Sequence, residues 1–383
     1  ATTPLPEAVA DTMYDVLRHQ FGNPSAQYPL GREAKELVEE ARRTIAGALG
    51  CQPSALHFTS CGTESDNWAI RAAAWQGRHT GRHIITTAVE HSAVLEPCRQ
   101  LEQEGYEVTY LKPDRTGHIS TEQVAEALRE DTVLVSVMLV NNETGCLFPV
   151  ADIARLLKER GSRALLHCDA VQGFLKVPCD PAGWGVDLMS LSAHKLGGPK
   201  GIGALYVRPD LRNLRPLLAG GSASYGIQAA GAGAAAYGQY LAGGKTLAEF
   251  VEAFVQDVPY IPLCWRKGLA AYSIKAYCRE RLLSIPGVVP VGGGEAPHIL
   301  AVSLVGYPSA NVINDLGSQG ICLSAGSACH RGKASRGYAA LGLDKRTAAG
   351  VLRLSFGPET TEGDIDALYE ALLRHKNTRF SML

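Results

Sequence analysis

The reactive side chains of this sequence cluster where short apolar segments end. The run SLSAHKLGGPKGIG (190–203) sets Lys195 just beyond a strand-like segment, flanked by Ser192 and His194 and followed by a glycine-rich turn. An amine that is desolvated or held near another cation can form a Schiff base with an aldehyde, and the glycines let backbone approach a bound group closely. Taken alone, such a lysine is most often a solvated surface residue. A second segment, LLHCDAVQG (165–173), carries Asp169 at its end and Gln172 three positions on. An acid at the lip of a parallel sheet lies where ligands bind and can keep a bound ring nitrogen protonated, or it can simply start a turn. A third, TSCGTESDNWAI (59–70), puts Gly62 and Thr63 at the opening of a helix, where free N–H groups and the dipole favour a phosphate. The plain alternative makes Thr63 an N-cap, with Asp66 as a supporting acid in the first turn. A fourth, GSACHRGK (326–333), surrounds Cys329 with small residues and places His330, Arg331 and Lys333 after it. Positive neighbours lower a thiol pKa, and the thiolate is the nucleophile. Cys168 and Cys322 read instead as small hydrophobes on strands, and Cys322, Cys329 and His330 lack structural zinc spacing, so no metal is assigned.

These residues need a scaffold, and its pattern is visible between residues 31 and 207. Apolar positions at helical spacing over 31–49, 64–75, 93–104, 121–129 and 151–160 alternate with short β-branched runs at 83–87, 108–111, 132–140, 164–168, 188–192 and 204–207. Such alternation predicts an α/β large domain, a mostly parallel, doubly wound sheet flanked by helices. The stretch 220–244 is dominated by Gly, Ala and Ser and reads as a loop or boundary. Beyond residue 297, strand-like runs at 299–305, 321–325 and 351–356, with helices at 310–319 and at the C-terminus, predict a smaller α+β domain. The expected division is 10–245 for the large domain, with 1–9 and 246–383 in the small one.

Composition limits the function. A chain of 383 residues suggests two or three domains. Lys plus Arg (37) balance Asp plus Glu (38), so there is no positive excess to neutralise a nucleic-acid backbone. No apolar run approaches the roughly 18 residues that cross a bilayer, so no membrane partner is expected. The 10 cysteines include no CxxC pair and read as reduced thiols of a cytoplasmic protein. The chain opens Ala1-Thr2-Thr3-Pro4 without an initiator Met, which predicts a natural N-terminus upstream.

Taken together, the segments resemble a family. VEHSAV (89–94), VNNETG (140–145), HCDAVQ (167–172), SAHKLGGPKGIGALYV (192–207), SAGSACHRGK (324–333) and LRLSFG (352–357) are similar, in order and spacing, to motifs of the fold-type I pyridoxal-phosphate enzymes. Within them the closest likeness is to the NifS-like cysteine desulfurases of the class V aminotransferases. GNPSAQYPLG (22–31) resembles a further N-terminal motif of that group and contains Asn23. The resemblance implies a fold-type I architecture, pyridoxal 5'-phosphate as cofactor, a homodimer, and conversion of L-cysteine to L-alanine with sulfur left as a persulfide. It implies that Lys195 binds the cofactor covalently and that His91 stacks on its ring and shares in proton transfer. Asp169 would pair with the ring nitrogen, and Asn142 and Gln172 would flank its phenolic oxygen. Gly62, Thr63, Ser192 and His194 would hold the phosphate, while Arg353, with Asn23, would bind the substrate carboxylate. Cys329 would take the sulfur and pass it to an acceptor or iron–sulfur scaffold protein.

The likeness breaks at GGSASYGIQAAG (220–231), where Gln228 stands at the family's Arg position and Gly231 at its phosphate-binding Thr. Loss of a guanidinium and a hydroxyl predicts weaker retention of the cofactor. Residues 232–283 also match poorly, and Pro259, Pro262 and Trp265 are expected to interrupt a long linking helix. Selenocysteine or cysteine-sulfinate cleavage, or a paralogue with impaired catalysis that serves as a binding partner, stand as alternatives.

Overall fold

The structure, a computed structural model, describes residues 2–218, 263–326, 336–357 and 359–379. Cys329 and the divergent 220–231 segment, with Gln228 and Gly231, lie outside the described residues, as does Pro259.

The chain enters through helices α1 (Glu7–His19) and α2 (Pro29–Leu49), then a strand β1 (Leu56–Thr59) that leads directly into α3 (Gly62–Gly77). Next come β2 (His83–Thr87), α4 (Ser92–Gln103), β3 (Glu107–Leu111), α5 (Thr121–Ala127), β4 (Thr132–Met138), α6 (Val150–Glu159), β5 (Leu165–Asp169), β6 (Leu188–Ser192) and β7 (Gly203–Val207). These strands form one sheet in the order β1-β7-β6-β5-β4-β2-β3. Strands β3, β2, β4, β5 and β6 run parallel; only β7 is reversed, so β1, antiparallel to β7, shares the direction of β6. Continuous apolar strands suit this arrangement, because helices cover both faces: all seven residues of β4 and all five of β2 and β6 are buried.

A second, antiparallel sheet, β10-β9-β8, is made from β8 (Val288–Pro290), β9 (Ile299–Leu304) and β10 (Val351–Ser355). Helices Leu263–Leu283 and Glu362–Thr378 pack on it with a core that includes Cys278, Leu282, Val302, Leu354, Leu368 and Leu372. The last helix starts on a reciprocal cap, Thr361 and Asp364 each bonding the other's backbone N–H. The two sheets meet at the turn after β4. There Ala296 N–H donates to Gly145 O, Tyr338 hydroxyl donates to Glu143 O, and Ile299 lies in the core of the large sheet.

The expected strand at 321–325 does not form. Only Ser324 pairs, through an isolated bridge to Arg353. The expected interruption at Trp265 is also corrected, since the helix Leu263–Leu283 runs through it, while Pro262 lies outside the described residues. Among the described residues no helix is long and apolar enough to cross a membrane.

Candidate active site

Parallel strands deliver their C-terminal ends to one edge of the sheet, and Asp169, Ser192 and Lys195 lie at or just beyond those ends. Strand β5 ends on Asp169 itself, and β6 ends on Ser192, followed by a single 3-10 turn, Ala193–Lys195. Asp169 is buried, and its Oδ1 accepts a hydrogen bond from Val171 N–H at 2.9 Å. Burial raises the Asp169 carboxyl, while the charges of His91 and Lys195 and the Val171 N–H pull it down. Asp169 therefore lies within electrostatic reach of both predicted partners. A buried acid in that position is best satisfied by a further cationic N–H.

His91 is the N-cap of α4, and its Nδ1 accepts from Ala93 N–H at 3.1 Å. That bond leaves the proton of a neutral ring on Nε2. The cap thus fixes both the orientation and the tautomer of the imidazole.

Beneath Asp169 lies a buried polar layer that sequence reasoning missed. His167 is held between Ser136 Oγ at 2.8 Å and Ser190 Oγ at 3.0 Å, from the strands on either side, and its Nε2 is 3.5 Å from Asp66 Oδ1. Burial pushes His167 down to about 3. Glu90 Oε1 accepts from Met138 N–H and from the Thr87 hydroxyl, each at 2.9 Å. Burial carries Glu90 up to about 8 and raises Asp66, and the charge on Asp169 raises both further. The charge on Asp169 thus adds to burial in favouring the protonated forms of Glu90 and Asp66. Asp66 is not a first-turn acid: the helix begins at Gly62 with Cys61 as its N-cap, Glu64 fills that role, and Asp66 faces inward. Thr63, second in the helix, is likewise not the cap.

The opening of α3 is the candidate anion site. Cys61 caps it with no side-chain hydrogen bond, leaving first-turn N–H groups without a side-chain acceptor among the described residues. The end of β1 and the end of β6 are level here, since Thr59 and Ser192 both pair with Gly203. Ser192 Oγ is hydrogen-bonded to His194 Nδ1 at 2.8 Å, and burial and the Lys195 charge push His194 down to about 4. The helix can come this close only because residue 62 has no side chain. A Cβ at Gly62 would lie 2.7 Å from Val171 Cγ2 and 3.4 Å from Ser192 Cβ. Gly62→Val is expected to weaken retention of a phosphate-bearing cofactor at least about tenfold, some 1.4 kcal/mol, by pushing the start of α3 off Val171. Equilibrium dialysis, with far-ultraviolet circular dichroism to verify folding, checks this; unchanged retention in a folded variant would remove the helix opening from the site.

Lys195 is positioned by the chain's beginning. Thr3 N–H donates to His194 O at 3.0 Å, and Gly197 N–H donates to Thr3 Oγ1, so the first residues clasp the turn on both sides of the lysine. A second amine, Lys176, was not anticipated. It follows Leu175, whose φ of 58° is left-handed for a branched residue, and burial with the Lys195 charge pushes it down to about 7. The signal in the sequence was a second lysine only four positions after Gln172.

Gln172 and Arg353 connect this edge to the small sheet. Gln172 Oε1 accepts from His298 Nε2 at 3.3 Å, which leaves His298 Nδ1 buried without a partner among the described residues. Arg353, on β10, donates from Nη1 to the backbone oxygen of Asn142 at 3.0 Å, while its buried Nε has no hydrogen-bond partner among the described residues. Asn142 is held over the strand ends by an Asx turn in which Asn141 Oδ1 accepts from the N–H groups of Glu143 and Thr144. The backbone of Arg353 pairs with Ser324, at the start of the segment that leads to Cys329. Asn23 is exposed in the loop between α1 and α2, and the bond made by its Oδ1 is local, to Ser25 N–H.

Comparison with known proteins identifies relatives over nearly the whole chain. Residues 1–368 match the model of the aminotransferase class-V family. The chain is 38% identical over 363 residues to the putative cysteine desulfurase IscS 1 of Bacillus subtilis, covering 93% of this chain and 92% of that protein. It is 35% identical to the cysteine desulfurase IscS of Methanosarcina thermophila, over 97% of this chain and 89% of the relative. The solved structure of a NifS-like protein superposes with a TM-score of 0.86 at 31% identity, covering 99% of this chain and 98% of the other. That of SspA in complex with cysteine gives 0.75 at 30%, covering 94% and 98%.

Proposed function

The chain belongs to the aminotransferase class-V family, and from that premise we propose that it is a cysteine desulfurase using pyridoxal 5'-phosphate. The observation that carries this reading is the pairing of Lys195 and Asp169 at the ends of neighbouring strands, close enough for each charge to act on the other. An amine for the aldehyde, a buried acid for the ring nitrogen and an uncapped helix opening for the phosphate match the three ends of that cofactor. Bound there, it would supply the electron sink that lets the substrate's C–S bond break.

The remaining roles fall to this chain's own side chains. Lys195 moves a proton at the substrate's α-carbon, and His91, with its proton on Nε2, is set to donate at the strand end. Arg353 binds the substrate carboxylate as a planar fork, which requires its Nε to be available. Cys329, as thiolate, attacks the substrate sulfur; the S–S bond forms as the C–S bond breaks, the bonding pair passes to the carbon side, and a proton delivered there yields L-alanine. The persulfide on Cys329 is then handed to a thiol of an acceptor or to an iron–sulfur scaffold protein. The exposed Tyr14 and Leu17 of α1, with Phe21 just beyond it, support a homodimer. A cytoplasmic setting fits the free thiols among the described residues.

The test is direct. Purified protein is expected to be yellow, and borohydride reduction should fix the chromophore on the peptide that contains Lys195. Protein that stays colourless when pyridoxal phosphate is added would overturn the assignment.

A further inference from the structure

We propose that His118, Cys146 and Glu295 form a divalent-metal site, with zinc as its natural ion, that joins the turn after β4 to the segment leading into β9. The site shares no residue with the strand-end chemistry. One ligand atom from each of the three side chains lies within 4.8 Å of the others. Tetrahedral zinc, with bonds of about 2.0–2.3 Å to N, O and S, holds its ligand atoms roughly 3.3–3.7 Å apart, so only small closures or openings are needed.

The hydrogen bonds around His118 make the case. Thr116 Oγ1 donates to Asp114 Oδ1 at 2.7 Å, so its single proton is committed and the oxygen must accept from His118 Nδ1–H at 2.8 Å. A neutral ring then presents a bare Nε2, and that atom contacts Glu295 Oε1. Two lone pairs in contact require a positive centre between them, either a second ring proton or a metal ion. The third group distinguishes these. Cys146 Sγ is a soft donor that a His–Glu ion pair does not need, yet it is directed into the same small volume, bonded to Thr116 O at 3.3 Å and lying against the Gly293 and Gly294 N–H groups.

The supporting shell has the form that metal ligands require. Asp114 and Thr116 orient the histidine, and Leu147 N–H donates to Glu295 Oε2 at 2.9 Å, leaving Oε1 for the ion. The backbone closes in from both sides where only glycine fits: a Cβ at Gly293 would lie 2.6 Å from His118 Cε1, and one at Gly117 would lie 2.9 Å from Cys146 Sγ. Metal entry would displace the thiol proton and, where the ring is charged, the Nε2 proton, releasing both to solvent. Three protein ligands leave a fourth position for water, so the ion is exchangeable.

The experiment uses the cofactor-loaded protein after treatment with a chelator, titrated with cobalt and then with zinc against a chromophoric competitor. A saturable thiolate-to-cobalt charge-transfer band is expected, lost in Cys146→Ser. Zinc affinity should fall at least tenfold in Glu295→Gln, which keeps the buried sulfur in place, and about 10–100-fold in Thr116→Val, which removes only the orienting acceptor. A band that survives in Cys146→Ser comes from another thiol and overturns the proposal. So does the absence of saturable binding at micromolar metal, which would leave His118 and Glu295 as an ion pair. Either failure leaves the assignment of Lys195 intact, because that rests on the borohydride label.

Discussion

Replacing Cys329 with alanine should leave the yellow chromophore and its spectral response to L-cysteine unchanged, while lowering sulfide release in the presence of a reductant by roughly three orders of magnitude. That is about 4 kcal/mol of barrier at ~1.4 kcal/mol per decade. The magnitude follows from the lack of a substitute nucleophile. Sulfur transfer needs a thiolate, and burial pushes four other thiols the wrong way: Cys51 to about 11, Cys98 and Cys278 to about 12, and Cys168 well above its ordinary value. By contrast Cys329 is followed by His330, Arg331 and Lys333. Cys61, half-buried at the N-cap of α3, is the control, because it lies at the proposed phosphate end rather than beside Arg353. Single-turnover alanine and sulfide measurements on Cys329→Ala and Cys61→Ser separate the two. Parent-rate sulfide release from Cys329→Ala would make that residue structural and end the mechanism.

Much of the scaffold was legible because parallel strands covered on both faces write themselves as unbroken apolar runs. The segments 83–87 and 188–192 coincide with β2 and β6, and β5 runs one residue further than its apolar part, so that Asp169 closes it. Where pattern was absent, the expectation failed for a physical reason. Strand β8 is three residues ending in a proline, too short for alternation to register. The run 321–325 is apolar enough for a strand, yet only Ser324 finds a partner. Asp66 looked like a helix-start acid because the helix was placed two residues late; beginning it at Gly62 turns that side chain into the interior. The polar layer of Ser136, His167 and Ser190 arises only when β4, β5 and β6 are set side by side. Its trace in the sequence was a polar residue, Ser136, His167 or Ser190, inside each of three largely apolar strands.

The second large effect is expected at Arg353. Arg353→Ala should raise KM for L-cysteine by about a hundredfold or more with a smaller change in kcat, while Arg353→Lys recovers only part of the loss. The reasoning starts from an imbalance in the structure. Nη1 is satisfied by Asn142 O, but the buried Nε has no acceptor among the described residues, and a buried charged donor without a partner costs several times what an exposed one does. A carboxylate arriving there supplies the missing acceptor and a compensating charge together. Charge-assisted hydrogen bonds are worth about 1.5–3 kcal/mol each, so losing a bidentate pair corresponds to two or more decades in affinity. Lysine restores the charge but not the planar fork. Because the backbone of Arg353 also pairs with Ser324, the same residue ties β10 to the stretch that precedes the Cys329 segment. A purely structural role would lower kcat and cofactor retention along with substrate affinity. The discriminating measurement is therefore KM against kcat for both variants, together with dialysis of the cofactor. An unchanged KM in Arg353→Ala would mean that the substrate carboxylate binds elsewhere, and Arg353 would be left as the tie between β10 and the turn at Asn142.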